Sequence, residues 1–151
     1  MRGKVVLITG GSSGIGLAAA ERCADAGATV AIVARDPEKL EAARALIAGR
    51  GGTVFAYQCD IADYQACDSL ARQVLAKHGG VDILVNNAGR SIRRSIDLSY
   101  DRFHDFERTM QLNYFGAIRL VMGLLPTMQE QGRGHVVNVS SIGVQTNPPR
   151  F

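Results

Sequence analysis

KVVLITGGSSGIGL, residues 4–17, has the pattern of an aliphatic strand that passes through a glycine-rich turn into a helix. Val5, Val6, Leu7 and Ile8 form an unbroken aliphatic run bounded by turn residues, the pattern of a central parallel strand covered on both faces. Thr9 ends it. Gly10, Gly14 and Gly16 then recur in the frame T-G-x-x-x-G-x-G, with Ser12 and Ser13 available to cap a helix that continues through Leu17, Ala18, Ala19 and Ala20. Free N–H groups at a helix start point outward with the positive end of the helix dipole, glycine lets a phosphate approach the backbone, and serine hydroxyls add donors. The stretch suits a pyrophosphate. An ordinary tight strand-to-helix turn would use the same residues, so the rest of the chain must decide.

Working outward, the first helix should run to about residue 26, where Gly27 stops it. A second strand, 29–34, ends in Arg35-Asp36-Pro37; Asp36 suits a helix cap and Pro37 a first turn, for a helix through Glu38, Leu40, Ala43 and Leu46 that Gly49, Gly51 and Gly52 terminate. A third strand, 53–58, leads through Cys59-Asp60-Ile61 to a helix over 64–78 closed by Gly79-Gly80. The fourth strand is expected at 81–85, before Asn86-Asn87-Ala88-Gly89, and a long amphipathic helix at about 100–131, kinked or ended by Pro126. A fifth strand, 135–139, ends in Ser140-Ser141. Strands alternating with helices and no hairpin signals predict an α/β doubly wound parallel sheet built of βαβ units. Ligands bind such sheets at the carboxyl ends of the strands, where Gly10, Arg35, Asp60, Asn87 and Ser141 all fall.

Composition narrows the class. A chain of 151 residues that is 46% hydrophobic, with no long apolar run, reads as one domain, residues 1–151, with a real core and no membrane span. The start, Met1-Arg2-Gly3-Lys4, does not resemble a secretory leader, so a cytoplasmic location is expected. The net charge of +3 is spread along the chain, which argues against nucleic acid and is compatible with an anionic cofactor. Cys23, Cys59 and Cys67 are odd in number and lack C-x-x-C spacing, and His78, His104 and His135 share no ligand spacing; neither a disulfide framework nor a metal site is predicted.

Four motifs together resemble the short-chain dehydrogenase/reductase family: the T-G-x-x-x-G-x-G frame of Thr9 to Gly16, N-N-A-G at Asn86 to Gly89, Asn113 in Q-L-N-Y-F-G, and V-N-V-S-S at Val137 to Ser141. The resemblance implies a Rossmann fold carrying a nicotinamide cofactor. Gly10, Ser12, Ser13, Gly14, Ile15 and Gly16 would surround its pyrophosphate and adenosine ribose, and Asp60 and Ile61 would meet the adenine. Asn87, Ala88 and Gly89 would line the way to the nicotinamide ribose, with Asn87 also stabilising the turn after the fourth strand. An NAD enzyme usually carries a carboxylate at the end of the second strand, but Ala34 stands there. Arg35 next to it offers a fork of donors to the 2′-phosphate of NADP, unless it is a solvated arginine paired with Asp36 or Glu38. NADP is therefore the expected cofactor, ahead of NAD.

Catalysis in this family implies a serine, an asparagine, a tyrosine and a lysine, of which Ser141 and Asn113 match the first two. No Y-x-x-x-K motif occurs among the 151 residues; Tyr57, Tyr64, Tyr100 and Tyr114 all lack the lysine. The chain is thus expected to be the N-terminal part of a longer enzyme, incomplete on its C-terminal side and inactive alone, with Val136, Val137 and Val139 left on an apolar sheet edge. Arg90, Arg93 and Arg94 either meet an anionic group such as a coenzyme A phosphate or form a solvated loop balanced by Asp97, Asp101 and Asp105. The wording around G-R-S-I-R-R-S-I is similar to a fatty acyl-coenzyme A reductase-like branch. Phe106, Met110, Phe115, Leu120 and Leu124 are expected in the core or, in part, against another subunit, since the family commonly assembles through this helix into homo-oligomers. The reading is an NADP-preferring oxidoreductase acting on a small carbonyl, alcohol or acyl thioester substrate; its rival is a nucleotide-binding module without chemistry. A methyltransferase is disfavoured, because Ala34 and Arg35 replace the acidic residue its ribose would want.

Overall fold

The computed structural model describes residues 1–146. Five strands, β1 (Val5–Thr9), β2 (Thr29–Ala34), β3 (Thr53–Gln58), β4 (Ile83–Asn86) and β5 (His135–Asn138), form one parallel sheet in the order β3-β2-β1-β4-β5. The helices are α1 (Gly14–Asp25), α2 (Pro37–Gly49), α3 (Tyr64–His78), α4 (Phe103–Met110), α5 (Gly116–Glu130) and the short α6 (Gly143–Thr146). Successive strand side chains point to opposite faces, so the β1 run divides between two layers. Val6 and Ile8 pack with Ala20 and Ala24 of α1 and Leu40, Ala43 and Ile47 of α2. Leu7 packs on the other face with Leu70 and Val74 of α3 and Leu120, Leu124 and Met128 of α5. Both faces are covered, which is why β1 carries no alternation of polar and apolar residues.

Local chemistry sets the helix ends. The Asp36 carboxylate accepts from the Glu38 and Lys39 N–H groups (3.1 and 3.2 Å), and Asp63 caps α3 through Gln65 and Ala66 (2.8 and 3.1 Å). Gly79 closes α3 with φ +72, a left-handed conformation that favours glycine.

Three expectations change. β4 begins at Ile83, two residues late, because the buried Asp82 holds the bottom edge of the sheet: its carboxylate accepts from Val5 N–H and Lys4 Nζ, both at 2.9 Å. Burial alone would raise that carboxyl, but Val5, Lys4 and Arg133 more than offset it and hold it below the usual carboxylate range. The long helix is three pieces: α4, a π-helical segment over Gln111–Phe115, and α5. Pro126 lies inside α5 without ending it, on the exposed face where the carbonyl it leaves unbonded meets water. Leu120 and Leu124 are core, whereas Phe106, Met110 and Phe115 are exposed, on the outer side of α4 and the π segment. β5 ends at Asn138 and stands at the sheet edge with Val136 and Val137 exposed.

Candidate functional site

The carboxyl ends of the five strands lie along one edge, and the sequence-predicted residues gather there. Gly10 (φ +66) and Gly14 (φ +54) take left-handed conformations that let the chain leave β1 and turn at once into α1. A side chain at Gly16 would put its Cβ onto the Gly10 carbonyl oxygen and 2.5 Å from Asn87 Nδ2, so only glycine lets the helix start approach the turn. The first intrahelical bond is Leu17 N–H to Ser13 O (3.1 Å), leaving the N–H groups of Gly14, Ile15 and Gly16 without intrahelical partners. Contrary to expectation, the serines do not cap: Ser13 holds the cap position in extended backbone, but its hydroxyl makes no capping bond. The donor-rich helix start is therefore uncommitted.

Thr9, which the sequence marked only as a strand end, joins this turn to β4. Its side-chain oxygen, in a residue 1% exposed, accepts from the N–H groups of Asn87 (3.0 Å) and Ala88 (2.9 Å). Asn87 Nδ2 in turn donates to the Thr9 and Gly10 carbonyls (2.9 and 3.3 Å). Asn87 thus stabilises its turn, as expected, by bonding the glycine loop itself. Beside it Asn86 Nδ2 donates to Asn138 Oδ1 of β5 (3.0 Å).

Arg35 and Asp60, at the ends of β2 and β3, lie 3.8 Å apart. The Arg35 partner is therefore neither Asp36, which caps α2, nor Glu38. Its side chain is 79% exposed, and such a loose surface pair is readily given up. Asp60 Oδ1 accepts the Ala62 N–H (3.0 Å). The Ile61 side chain is 4% exposed and belongs to the same core cluster as Leu120.

Asn113 sits in the middle of the π segment. Its amide clamps the backbone of Arg90, accepting from the N–H (3.0 Å) and donating to the carbonyl (2.8 Å), and Gly89 lies against it. Ser141 follows β5, exposed, and accepts the Gly143 N–H (3.1 Å), which leaves its own hydroxyl proton free to donate. No bond joins Ser141 to Asn113 among the described residues.

The arginine loop resolves into separate roles. Asp105 is buried and accepts from Arg94 Nη1 (2.5 Å) and Arg102 Nε (2.8 Å). Those two guanidinium groups, Arg94 first, hold its carboxyl at about 2. Arg94 is thus balanced by Asp105, one of the three carboxylates expected to offset the loop, in a pair whose carboxylate is buried. The cysteines are free thiols; neighbouring Cys59 and burial push the Cys67 thiol up, so it is protonated and inert. Among the described residues no group of three metal-ligating side chains occurs, and no helix is long and apolar enough to cross a membrane.

A parallel sheet whose central strand delivers a glycine turn and an uncommitted helix start to the carboxyl edge defines a Rossmann-type domain. The family model "short chain dehydrogenase" matches residues 4–151. The chain belongs to the short-chain dehydrogenase family. It is 60% identical over its whole length to an uncharacterised oxidoreductase of Mycobacterium tuberculosis, covering 45% of that protein. It is 56% identical, again over its whole length, to a fatty acyl-CoA reductase of Acinetobacter baylyi, covering 51% of it. A metagenomic short-chain oxidoreductase in complex with NADP superimposes with TM-score 0.88 at 35% identity, over 93% of this chain and 63% of that one. NAD+-bound xylitol dehydrogenase gives 0.92 at 31%, over 99% of this chain and 57% of that one. The chain spans about half the length of the curated relatives it matches.

Proposed function

We propose that this chain is the cofactor-binding part of an NADP-preferring oxidoreductase that works on a carbonyl, alcohol or acyl thioester substrate. The observation that carries the reading is the edge itself: three unpaired N–H groups at the start of α1, a Gly10–Asn87 lock behind them, and an exposed Arg35 next to Ala34, which stands where an NAD enzyme would carry a carboxylate. The residues present fit the cofactor, since adding a Cβ at Gly14 meets nothing within 4 Å and the Ser13 hydroxyl is uncommitted. Gly10, Ser12, Ser13, Gly14, Ile15 and Gly16 would hold the pyrophosphate and adenosine ribose, with Asp60 and the Ile61 main chain toward the adenine. Asn87, Ala88 and Gly89 would line the way to the nicotinamide ribose. The nicotinamide supplies a hydride when bound.

Arg35 releases its long contact with Asp60 and offers its guanidinium fork to the 2′-phosphate. Ser141 donates its free hydroxyl proton to the substrate oxygen and so orients the carbonyl. Asn113, fixed on the Arg90 backbone, supports the proton path. A tyrosine and a lysine complete the family's chemistry and are not supplied by these 151 residues. The similarity to a fatty acyl-CoA reductase supports an acyl thioester as the substrate class. The exposed apolar residues of α4 and α5, among them Phe106, Met110 and Met122, support a homo-oligomer. The cytoplasm remains the proposed location.

The test is a paired titration of the protein as its gene encodes it with NADPH and NADH, followed by turnover on long-chain acyl thioesters and aldehydes. NADPH is expected to bind more tightly. Arg35→Ala should weaken NADPH by about 10- to 100-fold, the loss of one charge-assisted contact, and leave NADH nearly unchanged. Binding of neither nucleotide by the folded protein would overturn the cofactor assignment. Nucleotide binding without turnover on any carbonyl substrate would favour the module without chemistry.

A further inference from the structure

The π segment is held from outside by side chains that its own sequence motif does not explain. Gln111 opens it, and its Nε2 donates to the Ala62 carbonyl (2.9 Å) while its Oε1 accepts the Tyr64 hydroxyl (3.0 Å). The orientation of that amide is forced, because a carbonyl can only accept. Ala62 is itself fixed, its N–H bound to Asp60 Oδ1 (3.0 Å). At the other end of the segment, a Cβ added to Gly116 would fall on the Ile61 carbonyl oxygen. Both ends of the π turn therefore rest on residues 61 and 62, and Asn113, between them, reaches the opposite way to Arg90.

A π turn is intrinsically less favourable than α-helix and survives where surrounding contacts hold it. Here those contacts are the Gln111 amide on one side and the Asn113 amide on the other. We infer that Gln111 is a positioning residue: through its bonds to Ala62 and Tyr64 it holds the π turn open and so aims the Asn113 amide at the Arg90 backbone. Hydrogen bonds run from Asp60 through Ala62 to Gln111, and the backbone of the π turn carries the connection on to Asn113, linking the adenine end of the cofactor site to its reactive end. This assignment rests on the proposed role of Asn113.

The test uses the protein as its gene encodes it, NADPH, and a long-chain acyl thioester or aldehyde substrate. Gln111→Met keeps the volume and removes both hydrogen bonds. It is expected to lower kcat about tenfold, with KM for NADPH changed less than about twofold, the signature of an interaction made by the reacting end alone. In an Asn113→Ala background the same substitution should change kcat by less than about twofold, since residues acting as one unit are not additive. Equal losses in both backgrounds, or a raised KM for NADPH with kcat unchanged, would overturn the proposal. An Asn113→Ala variant with undiminished kcat would instead overturn the role given to Asn113.

A readout independent of turnover is hydrogen exchange at the Arg90 amide, whose acceptor is Asn113 Oδ1. Gln111→Met should speed that exchange about fivefold or more, and unchanged exchange would refute the link. Should Gln111→Met fail to fold, Tyr64→Phe removes only the second bond to the amide and is expected to show the same two effects at about a quarter of the size; no change in either would equally refute it.

Discussion

Thr9→Val changes little in shape and removes one oxygen, yet that oxygen is the acceptor for two backbone donors, Asn87 N–H and Ala88 N–H, at 3.0 and 2.9 Å. Valine leaves both without a partner. Orphaning a buried donor costs about 1–3 kcal/mol, and because Asn87 and Ala88 are only half-buried each should fall toward the lower end, giving about 2–4 kcal/mol in all. The added methyl returns less than about 1 kcal/mol. The net loss of about 1–4 kcal/mol, at about 2–4 °C per kcal/mol for a chain of this size, should lower the melting temperature by about 2–16 °C. Urea unfolding should show the loss as a lower midpoint at unchanged slope. Thr9→Ser keeps the oxygen and gives up one methyl, so it should cost only about 1 kcal/mol. Valine as mild as serine, or serine as damaging as valine, would rule out the role given to the Thr9 oxygen.

Gly16→Ala should reduce NADPH affinity more than about tenfold by titration, since its Cβ would force α1 away from the Gly10 carbonyl. Asp63→Ala should cost about 1 kcal/mol in urea denaturation through loss of the α3 cap on Gln65 and Ala66. The Asp105 carboxyl, held at about 2 in the fold by Arg94 and Arg102, lies below the unfolded value of about 3.9. Its stabilisation is therefore fully present above about pH 4 and is lost as the pH falls through about 2. Urea midpoints measured between about pH 5 and pH 2 should show this loss, and Asp105→Asn should flatten that part of the profile.

Much of the sheet was legible because its signals are local. The β-branched and aliphatic run at 29–34, the β-branched and aromatic stretch at 53–58 and the Asp36-Pro37 start give the observed bounds of β2, β3 and α2. The strand-end residues of the site followed from the same reading, because strand ends alone place Gly10, Arg35, Asp60, Asn87 and Ser141 on one edge. What was not legible depends on partners distant in the chain. Thr9 and Asn87 meet across 78 residues, and Gln111 and Ala62 across 49; neither type nor spacing announces such a bond. The π segment escaped because one extra residue interrupts the helical period, and Gly116 at its end reads the same as a glycine inside an unbroken helix. The sequence left Phe106 and Met110 open between the core and contact with another subunit, since an apolar residue on a helix reads the same whether it faces the core or the surface; both are exposed.

The central position of β1 also bears on the order of assembly. On its left it pairs with β2, its immediate successor in the chain, and β2 with β3; on its right it waits for β4, across more than half the chain. Contacts near in sequence close their loops at lower entropic cost and form sooner. The glycine turn and the start of α1 are thus made with the first half of the sheet, while the Asn87 amide and the Thr9 hydroxyl meet only when β4 docks. A nascent chain acquires the loop before it acquires the bolt that holds the loop in shape.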